Sequence, residues 1–233
     1  MATSSPAPLE IGILIFPGMT LLDMAGPHGT LAPHGRAHLL WKTLDPVIGD
    51  SGIAMTPTTT LADAPEKLDV LLIPGGGGVN DVIKDREVID FIRKVGQNSR
   101  YVTGVCMGTI VLAAAGLLDG YRATTHWAYF DAMEAWGVET VRERVVKDRN
   151  RITGGGVTAG IDFGLTMVGE LLGEKMAKFT QLALEYNPAP LYDAGSPEAA
   201  GPELAAMVRT YTDPGVAELV ETAKVLQRER ATA

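Results

Sequence analysis

The residues best suited to chemistry surround the single cysteine of this sequence, Cys106. Gly104 and Gly108 flank it, two positions before and two positions after. A β-prone run, Tyr101–Thr103, precedes this segment, and an apolar, alanine-rich run without proline, Ile110–Leu118, follows it. This order predicts a strand, a sharp turn and a buried helix, which is the arrangement of a nucleophile elbow with cysteine in place of serine. Such a turn holds its central residue in a strained conformation and presents its side chain at the site.

A cysteine at this turn is a candidate nucleophile. A free thiol has a pKa of about 8.5, so only a few per cent of it is thiolate at neutral pH. The N-terminus of the following helix offers unpaired N–H groups and about half a positive charge, and both stabilise a thiolate. The alternative is a structural cysteine that packs as a small buried hydrophobe. The flanking glycines and the change from strand to helix favour a reactive thiol.

Asp23 is the second candidate, because it is an acid among apolar neighbours in the segment Leu21–Pro27. It is either a helix cap or solvated turn residue, or a general acid/base held close to Cys106. An ionised carboxylate beside the thiol would raise the thiol pKa, whereas a protonated carboxyl would donate a hydrogen bond to the thiolate. An ordinary aspartate titrates near pH 3.9, so the second role requires burial that raises the pKa of Asp23.

A run of four glycines, Gly75–Gly78, follows the predicted buried strand Leu68–Ile73. The backbone N–H groups of Gly76 and Gly77, together with that of Met107, are candidate donors for negative charge that develops during attack. The alternative is a tight turn without a ligand, and the two interpretations are compatible. A phosphate-binding loop is disfavoured, since no Gly-Lys-Ser/Thr follows the glycines.

His126 is the only histidine in a plausible catalytic position, after the elbow helix. It could pair with the cysteine or simply pack, and with Trp127 it is a candidate pocket residue. His34 and His38 are four residues apart, but the residues between them break any helix, so we predict no metal site. Residues 154–159 match the dinucleotide-binding glycine pattern, yet no strand with a terminal acid follows at the required distance.

Composition narrows the class of protein. The chain has 233 residues, of which 46% are hydrophobic and 21% charged, and this length allows one large α/β domain or two small ones. A net charge of −8 argues against nucleic acid or an anionic membrane as a partner. One cysteine excludes an internal disulfide framework and suits a reducing cytoplasm. Residues 1–10 lack the pattern of a signal peptide, and no apolar run is long enough to span a membrane.

Strands alternate with helices along the chain, which predicts an α/β fold with a mostly parallel sheet covered on both faces. Ligands in such folds bind at the carboxyl ends of the strands. Met19–Leu31 is predicted as a loop and a short helix interrupted at Gly26-Pro27, and two polar helices follow the surface loop Asn187–Gly201. The other predicted strands are Ile11–Phe16, His38–Thr43, short edge strands within 46–64, Val138–Val146 and Arg151–Thr153, and the other helices are Arg86–Gln97, about Ala159–Leu172 and about Lys175–Leu184.

Several of these segments together resemble the DJ-1/PfpI superfamily, and within it the isocyanide hydratases. The resemblance covers roughly residues 10–200. Its motifs are Leu-Asp-Met-Ala-Gly-Pro at 22–27, Ile-Pro-Gly-Gly-Gly-Gly at 73–78, Gly-Val-Cys-Met-Gly at 104–108, Arg-Ala-Thr-Thr-His-Trp at 122–127, and the longer segments 153–162 and 181–190.

The resemblance implies a flavodoxin-like three-layer sandwich, similar to class I glutamine amidotransferases, as a single domain over 1–233. Its core would cover about 10–186, and a loop and helices at 187–233 would complete it. It also implies a homodimer and a cofactor-free hydro-lyase that hydrates an isocyanide, R–N≡C, to an N-substituted formamide. By resemblance, Cys106 attacks the terminal carbon to form a thioimidate, and Asp23 protonates the intermediate and activates water.

Two positions depart from the family pattern, because Met107 stands where threonine is expected and Gly104 where serine is frequent. These changes concern pocket geometry and substrate preference. Three alternatives remain open. A glyoxalase- or deglycase-like enzyme would usually carry glutamate at the position of Asp23. The sensor half of an AraC-type regulator would need a helix-turn-helix extension of about 100 residues, against the 47 residues after Tyr186. A redox sensor with an oxidisable thiolate could coexist with catalysis.

Overall fold

The computed structural model describes residues 8–232, with side chains through residue 229. Residues 1–7 and 233, which belong to the predicted single domain, lie outside the described residues, as does most of the segment tested for a signal peptide. Within the described chain, a seven-stranded sheet has the order β10-β11-β7-β6-β1-β2-β5. Its strands are β1 (Leu9–Leu14), β2 (Gly35–Trp41), β5 (Thr59–Thr60), β6 (Val70–Ile73), β7 (Tyr101–Val105), β10 (Val145–Asp148) and β11 (Arg151–Gly154).

All neighbouring strands in this sheet run parallel except β10, which pairs antiparallel with β11. The central strand β6 consists of four fully buried apolar residues, as expected for a parallel strand covered on both faces. The predicted mostly parallel α/β fold is therefore confirmed. Two small ribbons lie outside the main sheet, formed by β3 (Val47–Ile48) with β4 (Ala54–Met55) and by β8 (Arg122–Ala123) with β9 (Glu139–Thr140).

The helices form two groups. One group joins α1 (Leu21–Leu31), α6 (Ala159–Leu172) and α7 (Glu174–Ala183), and the other joins α2 (Val79–Lys84), α3 (Arg86–Asn98), α4 (Gly108–Ala114), α5 (Phe130–Glu134) and α9 (Pro202–Thr232). The short helix α8 (Pro197–Ala200) contacts α9. The predicted amphipathic helix at 86–97 is present as α3, with Asp85 as its cap, accepting a hydrogen bond from the backbone N–H of Val88.

The expected interruption at Gly26-Pro27 was wrong, because α1 continues through Pro27 to Leu31. Proline inside a helix normally removes a hydrogen bond and breaks the helix. Here α1 packs closely against α6, where glycine provides the room. A Cβ at Gly160 would lie 3.0 Å from Pro27 Cδ, and one at Gly164 would clash with the hydroxyl of Thr30. Tertiary packing thus outweighs the local preference.

Other predicted boundaries also needed correction. β2 begins at Gly35, three residues before the predicted start, because residues 35–40 pair with β1 along its full length. The single strand predicted at 138–146 is two strands, β9 and β10, in different sheets. The two polar helices expected at the end are one four-residue helix and one long helix that continues through Pro214.

Candidate active site

Four adjacent strands position the residues of the site. In the sheet, β11, β7, β6 and β1 are parallel neighbours, so their carboxyl ends meet at one edge. The loops beyond β11, β7 and β6 carry Val157, Cys106 and Gly75, and Asp23 lies in the first turn of α1, which follows β1. The fold therefore brings together residues that are far apart in the sequence, at the place where parallel α/β sheets bind ligands.

Cys106 has the geometry of an elbow nucleophile. Its φ is 55°, in the left-handed region that a non-glycine residue rarely adopts. Its N–H is shared between the carbonyls of Gly154 and Gly155, at 3.0 and 2.9 Å. The hydroxyl of Thr125 donates to the Cys106 carbonyl at 2.7 Å. A Cβ at Gly108 would clash with the carbonyl of Ile73, which explains the flanking glycine.

Asp23 lies beside the cysteine with no solvent exposure. Its Oδ2 atom accepts a hydrogen bond of 2.9 Å from the backbone N–H of Gly75, and its carboxyl lies within hydrogen-bonding reach of the Cys106 thiol. Oδ1 is buried without a geometrically sound hydrogen bond from any described residue. Burial raises the pKa of Asp23 to about 7, although the bonds from Gly75 and Cys106 oppose this rise. The raised pKa that an acid/base role requires is therefore present.

Cys106 itself is almost completely buried, with 4% of its surface exposed. Burial raises the pKa of its thiol, and the neighbouring carboxylate of Asp23 raises it further. The backbone N–H groups of Met107 and Val157 lower the thiol pKa, but burial outweighs them. The helix N-terminus, which the sequence predicts to stabilise a thiolate, does not offset this desolvation. α4 is a helix of only seven residues, so its dipole acts against a large desolvation cost.

The glycine loop contributes through Gly75. A Cβ at this position would lie 2.8 Å from Asp23 Oδ2 and 3.0 Å from Cys106 Cβ, so only glycine fits. Gly76 has φ +128° and lies against the Gly18–Thr20 segment, with which it forms a β-bridge at Met19. An added Cβ at Gly77 would meet open space. The oxyanion-type role of Gly76 and Gly77 stays a prediction.

Sequence reasoning missed Val157, whose N–H faces the sulfur from the loop before α6. No side-chain signal could have found it, because the contribution is a backbone donor. A cavity of about 560 Å³ lies beside the elbow, where the sequence predicted His126 and Trp127 as pocket residues. Thr125, Gly155 and Val157 form its inner wall, and each of these three residues also contacts Cys106.

His126 and Trp127 both line this cavity, where their rings stack at 5.8 Å. The Nδ1 atom of His126 accepts a hydrogen bond from the backbone N–H of Ala128. Burial lowers the pKa of His126, so the ring is neutral near pH 7. Its contacts are those of a packed pocket residue, and its pairing with the cysteine stays a prediction.

Within residues 8–232, no group of three or more histidine, cysteine, aspartate or glutamate side chains is arranged to hold a metal ion. None of the helices described is both long enough and apolar enough to cross a membrane.

A mostly parallel α/β sandwich with a buried cysteine at a nucleophile elbow and an aspartate beside it defines a thiol site of a recognisable class. The model of the DJ-1/PfpI family matches residues 10–170. The chain belongs to this family.

Three individual proteins are similar to this chain. Isonitrile hydratase from Pseudomonas putida is 52% identical over 194 residues, covering 82% of this chain and 85% of that protein. The crystal structure of a ThiJ/PfpI family protein from Pseudomonas syringae is 41% identical, with a TM-score of 0.86, and covers 97% of this chain and 96% of that one. The transcriptional regulator GbdR from Pseudomonas aeruginosa is 32% identical over 73% of this chain, which spans 48% of the regulator.

Proposed function

We propose that this protein is an isocyanide hydratase, which adds water to R–N≡C and releases the formamide R–NH–CHO. The observation that carries the proposal is the buried pair of the Cys106 thiol and the Asp23 carboxyl, with a pKa for Asp23 of about 7. The similarity to isonitrile hydratase (isonitrile being a synonym of isocyanide) supports the choice of electrophile. The departures at Met107 and Gly104 leave this pair in place.

Before the first step, the Cys106 thiol and the Asp23 carboxyl together carry one proton. Asp23 as carboxylate takes the thiol proton of Cys106 and passes it to the terminal carbon of the isocyanide, while the sulfur attacks the same carbon. The C–S and C–H bonds form, and the product is the thioimidate R–N=CH–S–Cys106. No proton enters or leaves the site, which suits a buried environment where a net charge is costly.

In the second step, Asp23 accepts a proton from water as the oxygen attacks the thioimidate carbon. Asp23 then donates this proton to the nitrogen. The resulting R–NH–CH(OH)–S–Cys106 expels the thiolate, which regains its proton as the carbonyl forms. General acid/base catalysis of this kind contributes about 10²–10⁴-fold to the rate. The reaction is redox-neutral, and Asp23 can transfer the protons that it requires. The chemistry is therefore consistent with the prediction of a cofactor-free reaction.

Backbone donors support the sulfur during both steps. The N–H groups of Met107 and Val157 face the Cys106 sulfur and lower its pKa. They stabilise charge on sulfur as the thiol proton leaves and again as the thiolate departs. Donors from Gly76 and Gly77 would act on the substrate end of the forming bonds.

The proposed working unit is a homodimer. In support, α7 and the first half of α9 carry apolar side chains that face solvent, among them Phe179, Leu182 and Tyr211 at 64%, 80% and 88% exposure. Large apolar side chains exposed to this degree are candidates for a contact between subunits. The proposed compartment is the reducing cytoplasm, because the reaction needs Cys106 as a free thiol.

The proposal is tested by offering the protein two substrates. With a simple alkyl isocyanide, we expect formamide production that follows the enzyme concentration, monitored by ultraviolet absorbance. With methylglyoxal under the same conditions, we expect turnover at least about a hundredfold slower. Turnover of methylglyoxal without hydration of the isocyanide would instead assign the site to the glyoxalase- or deglycase-like enzymes.

A further inference from the structure

We propose that the cavity beside Cys106 selects isocyanides whose body carries a carboxylate, and that Arg142 binds this carboxylate. The inference rests on the proposed hydratase activity and specifies its substrate. It starts from the size of the cavity, about 560 Å³. Cavities of about 300–1,000 Å³ hold ligands of drug-like size, so a small alkyl isocyanide would leave most of this space empty.

The inner wall of the cavity shows how the substrate would be oriented. Thr125, Gly155 and Val157 line the cavity and each contacts Cys106, whereas Cys106 and Asp23 are not among the residues that line it. A substrate whose body lies in the cavity would therefore extend its thin, linear isocyano group past Val157 to reach the buried sulfur. The body of the substrate then occupies the cavity between Trp127 and Phe130, whose rings suit a flat or cyclic apolar group.

The cavity is also lined by an exposed arginine, Arg142, whose nearest charged influence is the Glu198 carboxylate at longer range. The Arg142 guanidinium lies over the Phe130 ring, 4.4 Å from its centroid. Among residues 8–232, Arg142 forms no ion pair within 4 Å and no side-chain hydrogen bond. The planar set of N–H donors on the guanidinium matches the geometry of a carboxylate. Stacking on the Phe130 ring restricts the Arg142 side chain in advance, so binding a carboxylate costs less side-chain entropy.

The other charged groups that line the cavity are already engaged or balanced. Arg144 is bound by Asp162 at 2.6 Å and donates to the Thr158 hydroxyl. The pKa of Glu198 is lowered mainly by hydrogen bonds at its own backbone and from Ser196, and Arg142 contributes only at longer range. Glu143 and Arg142 are both exposed. Of the two arginines that line the cavity, Arg142 is therefore the one whose N–H donors are not already bound by a described side chain.

The test compares two isocyanides of one shape: cyclohexyl isocyanide, and the same ring with a carboxylate on the carbon opposite the isocyano group. For the wild type we expect a KM at least about tenfold lower for the carboxylate. Arg142→Gln should raise KM for the carboxylate by about 10–100-fold, the worth of a charged hydrogen bond, while KM for the neutral compound stays within about twofold. Arg86→Gln, an exposed arginine on α3, is the matched control and should leave both within about twofold.

Three results would overturn the inference. An equal effect of Arg142→Gln on both compounds would mean that the arginine supports the cavity rather than the carboxylate. A wild type that hydrates the neutral compound but shows no preference for the carboxylate would remove the charge requirement and leave the hydratase proposal standing. Failure of the wild type to hydrate either compound would overturn the hydratase activity itself, and this inference with it.

Discussion

At Cys106, burial decides the protonation state more strongly than the helix that follows. The apolar neighbours of Asp23 in the sequence correctly indicated a carboxyl with a raised pKa, now about 7. The sequence did not indicate how strongly the thiol is desolvated, because its burial cannot be read from the glycines around it. The thiol pKa is raised by the same low-dielectric environment and by the carboxylate itself. Asp23 and Cys106 therefore compete for one proton. This proton leaves the pair only when it is transferred to the terminal carbon of the substrate.

This competition predicts the pH dependence of hydration. Below pH 7, Asp23 and Cys106 are both protonated, so the carboxyl cannot accept the thiol proton. We expect kcat/KM to rise as pH rises through about 7 and to level off until the thiol itself ionises, at a pKa well above its usual range. The measurement is kcat/KM for a neutral alkyl isocyanide from pH 5.5 to 9. A decrease through pH 7, or a flat profile, would contradict the role of Asp23.

The buried Asp23 carboxylate should also lower the free energy of unfolding. Its pKa rises from 3.8 to about 7 on folding, so between about pH 4 and 7 the folded state keeps a proton that the unfolded chain releases. The free energy of unfolding therefore falls as pH rises through this window, by up to on the order of 4 kcal/mol. We expect Asp23→Asn to stabilise the protein most at pH 8, where the wild type carries a buried charge, and to stabilise it by less than half as much at pH 5, where the folded wild type is still protonated. Urea unfolding at both pH values measures this difference.

The same Asp23→Asn variant should lose at least about a hundredfold in kcat, because an amide cannot move the thiol proton. A gain in stability with a loss of activity is the usual pattern for a functional residue in an unfavourable environment. Equal unfolding midpoints of the variant and the wild type at pH 8 would show that the carboxyl is not held in the raised-pKa state.

At the scale of elements, periodicity and glycine spacing predicted the strands that carry the site. The buried strand before the glycine run is β6, and the elbow is the junction of β7 and α4. The sequence could not show that α1 survives Pro27, because this depends on glycines in α6. Nor could it show that α8 supplies part of a cavity wall, because residues 195–198 are distant in sequence and lack an apolar pattern.

The close approach of the β6 loop to the elbow yields a further prediction. A Cβ at Gly75 would lie 2.6 Å from the backbone nitrogen of Met107 and 2.8 Å from Asp23 Oδ2. We expect Gly75→Ala to separate the acid from the thiol, lowering kcat at least about a hundredfold and destabilising the fold by about 1–3 kcal/mol. Steady-state kinetics and urea unfolding measure the two effects.

The matched control is Gly29→Ala in α1, where an added Cβ has no heavy atom within 4 Å. This change should leave kcat unaltered and should not reduce stability, since alanine favours the helix. If Gly75→Ala behaved like Gly29→Ala, the loop would not be holding the carboxyl in place.

At the scale of the whole molecule, the fold alone does not determine the function. A regulator and a hydratase both match this chain, at 32% and 52% identity, so the chemistry must be argued from the site. The sequence predicted the sandwich because strands and helices alternate. It gave little indication of the exposed apolar side chains on α7 and on α9, because such residues look like core positions until their burial is known.

These exposed side chains predict the oligomeric state. Leu182 is 80% exposed on α7, and an aspartate there would place a charge in the proposed dimer interface. We expect the wild type to be a dimer and Leu182→Asp to be a monomer by light scattering after size-exclusion chromatography. Leu44→Asp, at a site 54% exposed and outside α7 and α9, should remain dimeric. A monomeric wild type, or a dimeric Leu182→Asp, would contradict the assignment of the interface.

The measurement that tests the central claim most directly is formamide production from an alkyl isocyanide by the wild type and by Cys106→Ser, assayed side by side. Serine preserves the size and the elbow geometry but replaces the thiol by a hydroxyl that is far harder to deprotonate. The account predicts turnover by the wild type and a loss of at least about a thousandfold in the variant, with unfolding behaviour unchanged. A Cys106→Ser protein that hydrates isocyanides at a rate comparable to the wild type would show that the sulfur is not the nucleophile.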